Sequence, residues 1–323
     1  MRTTLFWIGL LLATVGCDAD PAPPDPPSAP EGCDQPFYRG AFAVDPQTFV
    51  SSEDGWVEVV AGSSVGACGL REDGRIECWG GGLDHVPDPI EDRRYVQLTV
   101  TASGSLCALD EDGEARCWVS RTDPPLDPPP GPFLELAGHD DGVCGRRADG
   151  MVLCWGDTDA LNPEALAEPY AALCGGPHGA CGLSLDGTLR CLEETEVCET
   201  WANRFPGPWV AAARSYDTGM LLDAEGSVTF ALDNTLPENA RVVTPERVGG
   251  PTVAISVMMD LSCGLTDGGW LWCQERGWDY TPLPCETFTQ VSAWYWGACA
   301  VRTDGHVVCW GVDPDPLDYL APP

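Results

Sequence analysis

The chain has 323 residues, enough for one large all-β domain or two ordinary ones. A content of 44% hydrophobic and 21% charged residues is globular and excludes wholesale disorder. Asp and Glu number 50 against 17 basic residues, all of them Arg, for a formal net charge of -33. Such a chain offers phosphates no cationic face, which argues against nucleic acid as a partner. Seventeen Cys are too many for a reducing cytosol unless they bind metal, while 37 Gly and 30 Pro point to turns and short strands rather than long helices.

Arg2 is followed by an apolar run from Leu5 to Val15, too short to cross a bilayer, which takes about 20 residues. The run reads as the hydrophobic region of a signal peptide. It ends in Thr14-Val15-Gly16-Cys17, which resembles the lipobox of bacterial lipoproteins, with Thr14 in place of the usual Leu. The resemblance implies cleavage after Gly16 and lipidation of Cys17. The plainer alternative is an ordinary signal peptide with a bystander Cys. Residues 18–32 hold 6 Pro in 15 positions, a polyproline-like spacer reaching roughly 45 Å at about 3.1 Å per residue. The expected organisation is a signal peptide over 1–16, a lipidated Cys and spacer over 17–32, and one domain over 33–323.

Beyond residue 50 the chain repeats. The segment from Ala67 to Gly80 reads as strand, turn, strand, with Cys68 and Cys78 ten positions apart. The same spacing recurs in Cys107/Cys117, Cys144/Cys154, Cys181/Cys191, Cys263/Cys273 and Cys299/Cys309, and in a further copy with Met220 and Phe230 at the two positions. Replacement of both Cys by apolar residues implies that the two positions face each other. A three-residue loop such as Glu72-Asp73-Gly74 forms a type I turn closed by a left-handed Gly. Gly113, Gly150, Gly187, Gly226, Gly269 and Gly305 stand where Gly74 does. Counting outward from the loop sets Cys68 against Cys78 at a non-hydrogen-bonded pair, about 4.5 Å between Cα atoms and within reach of a disulfide. Six cross-strand disulfides are expected, each contributing about 2–3 kcal/mol. Zinc is the rival reading, but the chain contains no C-x-x-C spacing.

A further strand precedes each hairpin, beginning Trp56-Val57, Tyr95-Val96, Phe133-Leu134, Tyr170-Ala171, Trp209-Val210, Thr252-Val253 and Phe288-Thr289. It ends in small residues such as Ala61-Gly62 and Ala137-Gly138, as crowding near an axis requires. Successive loop glycines are 39, 37, 37, 39, 43 and 36 residues apart. Seven units of this size, each a small sheet, predict an all-β, seven-bladed β-propeller. A linear solenoid would need polar capping repeats, and none is evident. The units resemble the regulator-of-chromosome-condensation repeat family in Cys68-Gly69-Leu70, Asp73-Gly74 and Cys78-Trp79-Gly80, and best of all in Cys299-Ala300-Val301, Asp304-Gly305 and Cys309-Trp310-Gly311. The resemblance spans about residues 50–315 and also implies seven blades.

Four Cys fall outside the ten-spaced pairs and allow three connectivities. Cys174 and Cys198 flank one repeat and are paired on that ground; Cys33 with Cys285 would then tie the segment from Phe37 to Val44 to the last blades.

Signals of chemistry are weak. Gly62-Ser63-Ser64-Val65-Gly66 fits the G-x-S-x-G pattern but lies between two strands, without the helix that a nucleophile elbow needs. His85, His139, His178 and His306 lie in four different repeats without metal-ligand spacing, and the Asp pairs match no calcium loop. Trp79, Trp118, Trp155 and Trp310 each follow a Cys and read as packing between blades. No metal and no cofactor is expected. What stands out is the set of loops between the preceding strand and the hairpin, which a propeller gathers on one face. Three of them put Tyr216, Met258, Met259, Trp294, Tyr295 and Trp296 together, beside His139, Asp140 and His178 from others. Aromatic-rich exposed patches are binding faces, although Trp294 and Trp296 would equally serve as a channel plug. The expected protein is a non-catalytic, monomeric, envelope-anchored lipoprotein holding a protein or peptide, with the membrane reached through its lipid alone. A propeller-type enzyme inhibitor is the alternative. A hydrolase or lyase would need convergent groups such as His139, His178 and Arg214 over a cleft.

Overall fold

The hairpins form in the register that the loop count requires. Cys68 stands opposite Cys78, Cys107 opposite Cys117, and Met220 opposite Phe230. The computed structural model describes residues 47–311 except 52, 63–65, 81–85, 87–89, 91, 120–125, 160, 177–178, 194–195, 216–217, 233–239, 259–260, 276–280, 283–285 and 295–296. The expected signal peptide, Cys17, the spacer, Cys33 and Cys285 lie outside the described residues.

Each repeat is an antiparallel sheet, and there are seven. The strand that precedes each hairpin is innermost: Trp56–Ala61, Tyr95–Val100, Glu135–His139, Tyr170–Cys174, Ala211–Arg214, Thr252–Met258 and Phe288–Trp294. Each of these packs beside the next, and the last packs beside the first, so the ring closes. Closure is made by backbone pairing: Gln47–Val50 adds antiparallel to Val307–Gly311 as the outer strand of blade seven. Residues 47–50, joined to the last blade, follow the expected segment Phe37 to Val44, which itself lies outside the described residues.

The turn glycines have two jobs. All seven take a positive φ, between 80° and 86°. Each also turns its carbonyl to the first N–H of the next inner strand, as in Tyr95 N→Gly74 O (3.0 Å), Phe133 N→Gly113 O (2.8 Å) and Trp56 N→Gly305 O (2.9 Å). The approach leaves no room for a side chain: a Cβ on Gly113 would stand 2.8 Å from the Phe133 carbonyl oxygen.

The core is divided among the blade junctions. Seven apolar clusters each draw on two neighbouring blades, for example Trp56, Val59 and Trp79 with Cys299, Val301 and Val307. Trp79, Trp118 and Trp155 pack against the first aromatic of their own inner strand at 5.5–5.8 Å between ring centroids. That inner aromatic lies flat on the middle strand, which explains the Gly after Cys: a Cβ on Gly69, Gly145 or Gly182 would meet the ring of Trp56, Phe133 or Tyr170. Blades four, five and six lack the hairpin Trp, with Leu192, Ala231 and Gln274 in its place. In blade five the helix Glu196–Arg204 lays Trp201 over Gly219.

Six blades carry disulfides, and five of them use the ten-spaced pair as expected. These bonds are Cys68–Cys78, Cys107–Cys117, Cys144–Cys154, Cys263–Cys273 and Cys299–Cys309, at 4.0–4.1 Å between Cα atoms. The separation is slightly tighter than the 4.5 Å expected of a non-hydrogen-bonded pair, and it puts Cys144 directly opposite Cys154 and Cys263 opposite Cys273. Blade four corrects the expected pairing of Cys181 with Cys191 and of Cys174 with Cys198. Its bonds are Cys174–Cys181 and Cys191–Cys198, each seven residues apart, at Cα separations of 4.9 and 5.8 Å. Cys181 is on the middle strand and opposes both Cys174 and Cys191. The helix after the third strand packs back on it and brings Cys198 to Cys191, which leaves Cys181 to the inner strand. Cys154 and Cys273, the corresponding third-strand residues of blades three and six, have no such second Cys beside them among the described residues, so each bonds its middle strand.

Peptide mapping of the non-reduced protein is expected to recover the two seven-spaced bonds in blade four; a Cys181–Cys191 peptide would contradict that arrangement. Gly113→Ala is expected to cost on the order of 2–4 kcal/mol, from backbone strain plus the blocked junction. Gly55→Ala shares the positive φ, 86°, but has open space around it, and is expected to cost only about 1 kcal/mol in the same denaturation experiment.

Candidate functional site

The seven inner strands enclose an axial channel of about 270 Å³. Its wall is mostly backbone and small or aliphatic side chains, among them Ala61, Thr99, Ala137, Ala213, Ser256 and Ala293. On one side glycines close the gaps between inner strands. A Cβ on Gly138 would stand on the Val100 carbonyl, one on Gly175 on the Gly138 carbonyl, and one on Gly176 on the Arg214 carbonyl.

Polar side chains tie neighbouring inner strands together. The side chain two residues after the glycine-bonded position reaches forward one blade in four consecutive blades. The Gln290 amide bonds both backbone groups of Val59 (3.0 and 3.1 Å), and the Gln97 amide does the same at Leu136 (2.9 and 3.0 Å). Glu58 accepts the Leu98 N–H at 3.0 Å, and Glu135 accepts that of Leu173 at 3.3 Å. Two residues further on, hydroxyls repeat the device: Thr99 accepts from Gly138, Ser256 from Ala293, and Ser292 from Ala61. Burial pushes the Glu58 carboxyl up to about 8, although the Leu98 N–H opposes the shift.

The loops that follow the inner strands border the channel, with Thr101, Ala102, Gly176 and Met258 in its wall. Neighbouring loops touch: the Asp140 carbonyl accepts the N–H groups of Ala102 and Ser103. His139 is only 2% exposed, with Nδ1 3.0 Å from a Glu193 carboxylate that also accepts the Ala180 N–H. Arg214 reaches the same place; its Nη1 and the other Glu193 oxygen both lie within 3.2 Å of where a Cβ on Gly179 would stand. Thus His139 and Arg214 do converge, but on a buried carboxylate between blades three, four and five rather than over an open cleft.

Of the expected binding residues, Met258 is buried at 8% and Asp140 is half-buried. Trp294 ends its inner strand, and Tyr216, His178, Met259, Tyr295 and Trp296 lie outside the described residues. Sequence reasoning missed the Gln/Glu ladder, whose signal was an acid or amide at the third place of strands that are otherwise apolar. Glu193 carried no signal at all. It becomes meaningful only when blade four brings it between two others.

No protein-family model matches the chain, and no curated protein matches it. Solved structures share its fold. The entire ectodomain of the Physcomitrella patens receptor kinase CR4 matches with a TM-score of 0.55 at 18% identity, over 78% of this chain and 71% of that one. Yeast RCC1 (Prp20), solved bound to Kap60, matches with 0.54 at 14%, over 81% and 82%. YCF48 bound to D1 peptide matches with 0.53 at 14%, over 83% and 97%. At such identities the likeness establishes the fold, a β-propeller.

Glu58→Gln tests the ladder, because Gln97 and Gln290 already show how an amide fits. A carboxyl raised from 4.5 to about 8 folds without penalty below pH 4.5 and loses stability as pH climbs toward 8. The variant is therefore expected to be more stable than the parent at pH 8, by about 2 kcal/mol or a few degrees of melting temperature, and to match it near pH 4.5. An equal gain at both pH values would contradict the buried neutral acid.

Proposed function

We propose that the chain is a propeller of the regulator-of-chromosome-condensation repeat type that binds a protein or peptide. It is held at a bacterial cell envelope by lipid on Cys17 and acts without catalysis. Seven disulfides among the described residues indicate an oxidising compartment, which agrees with the lipobox-like Thr14 to Cys17 and the Pro-rich spacer behind it. Among the described residues no helix is long and apolar enough to cross a membrane, and no three His, Cys, Asp or Glu side chains gather to hold a metal.

The observation that carries the binding reading is how this ring uses its polar groups. His139, Glu193 and Arg214 are buried between blades, and the channel wall is small and aliphatic, so the described interior is committed to holding the ring together. That leaves the rim loops as the variable element, on a rigid scaffold of the kind that places loops for recognition. Two propellers of similar fold were solved with such partners, YCF48 with D1 peptide and yeast RCC1 with Kap60. The partner surface is assigned to the loops that carry Tyr216, Met259, Tyr295 and Trp296.

The test is capture from detergent-solubilised envelope with the soluble domain, made in an oxidising compartment, beside a Trp294→Ala/Trp296→Ala variant of unchanged circular dichroism. The expected outcome is a protein retained by the parent and lost at least tenfold by the variant. Equal retention by both would move the surface away from these loops.

A further inference from the structure

The opposite face of the ring, where the hairpin turns lie, carries a second regularity. The residue that follows each glycine-bonded position (Val57, Val96, Leu134, Ala171, Val210, Val253 and Thr289) stands outside the register of its sheet. Register skips from Trp56 to Glu58, from Tyr95 to Gln97 and from Thr252 to Ala254, so Val57, Val96 and Val253 occupy bulges. A bulge re-aims the extra side chain, here into solvent. Val57, Val96, Leu134, Val210 and Val253 are 42–55% exposed, and the second residues of the other two blades, Ala171 and Thr289, are exposed as well. The first residue of each inner strand bonds a turn glycine, so these side chains form a ring around the axis at the turn face. Five exposed aliphatic residues thus recur at one structural position around the turn face, and clustered apolar exposure marks interaction surfaces.

Acids surround this ring. Every turn carries at least one exposed carboxylate, from Asp73, Asp112 and Asp149 round to Asp267 and Asp304. Asp73 is held below the ordinary range chiefly by the Arg75 N–H, and Asp186 is lowered to about 2, first by the Ser184 hydroxyl. Three arginines on this face are paired with acids, Arg75 with Asp73, Arg94 with Glu111 and Arg302 with Asp304, while Arg147 bonds the Pro130 carbonyl. At the junction of blades seven and one, a cleft of about 490 Å³ joins the two features, with Val57 and Thr289 on its apolar side, Asp54 and Glu72 beside them, and Asp304 held by Arg302 in the same wall.

We propose that the turn face docks a basic segment of a partner protein, with its aliphatic side chains on the Val57, Val96, Leu134, Val210 and Val253 ring and a Lys or Arg in the cleft beside Asp54 and Glu72. Charge selects this occupant. A second copy of a chain with net charge -33 would bring its own acids to the same face, and an anionic bilayer is repelled in the same way. A cationic partner is steered in by the rim and held by apolar contact at the centre. This surface is separate from the loops assigned above, and either can fail without the other.

The probes are two fluorescent twelve-residue peptides of equal charge, one alternating Leu and Lys, the other Ser and Lys, titrated against the disulfide-bonded protein at 150 mM salt. The Leu/Lys peptide is expected to bind at least tenfold more tightly. A Val57→Ser/Leu134→Ser/Val253→Ser variant with unchanged melting temperature is expected to remove that difference, and Asp54→Asn/Glu72→Gln to weaken both peptides. The Trp294→Ala/Trp296→Ala variant is expected to bind the Leu/Lys peptide like the parent. Equal affinity for the two peptides, or a preference that survives the ring variant, would overturn the proposal. So would dimerisation, or binding to phosphatidylglycerol vesicles, that the ring variant abolishes.

Discussion

Seven hydrogen bonds hold this ring in register, each from the first N–H of an inner strand to the carbonyl of the previous blade's turn glycine. Two conditions meet at each. The turn must place its third residue at positive φ, and the next blade must come within about 3 Å of that residue's α-carbon side. A residue with a Cβ fails both at once. The rest follows from this contact. It fixes how far apart blades begin, which sets the aromatic of the inner strand over the middle strand, which in turn requires the Gly after Cys in blades one, three and four.

Around that contact the fold adds devices where the pattern weakens. Glu/Gln side chains stitch blades seven, one, two and three to their successors, whereas Ala172, Ala211 and Ala254 fill the same place in blades four, five and six. In the blades without that stitch other contacts appear. The helix Glu196–Arg204 brings Trp201 and a disulfide, and the His139–Glu193–Arg214 group sits between blades three and five. The closing junction is reinforced most heavily, by the 47–50 strand, by Gln290 and by Ser292.

The architecture was legible because propeller geometry imposes local periods. Ten residues between Cys68 and Cys78 encode a three-residue turn, and the spacing of turn glycines encodes a blade. Blade five remained legible through Met220 and Phe230, which oppose each other as the Cys pairs do. Non-local choices were not legible. Cys181 has two equally placed neighbours, and only the fold of the chain beyond residue 195 decides between them. The exposed Val57, Val96 and Val253 look like strand residues in sequence, because a bulge between Trp56 and Glu58 leaves no mark of its own. His139 read as a rim residue, yet it is buried beside Glu193, which lies in another blade.

A ring joined this way offers a rigid scaffold with two different ends, one bordered by the loops that follow the inner strands and the other by acidic turns around aliphatic side chains. Its central claim concerns the glycine contacts, and amide hydrogen exchange reads them directly. The N–H groups of Trp56, Tyr95, Phe133, Tyr170, Trp209, Thr252 and Phe288 lie at strand starts, where fraying is ordinarily fast. The account predicts that all seven exchange as slowly as the Cys-bearing middle strands, through global unfolding alone. Exchange at these seven as fast as in the exposed turns would show that the blades are not joined through their glycines, and would contradict it.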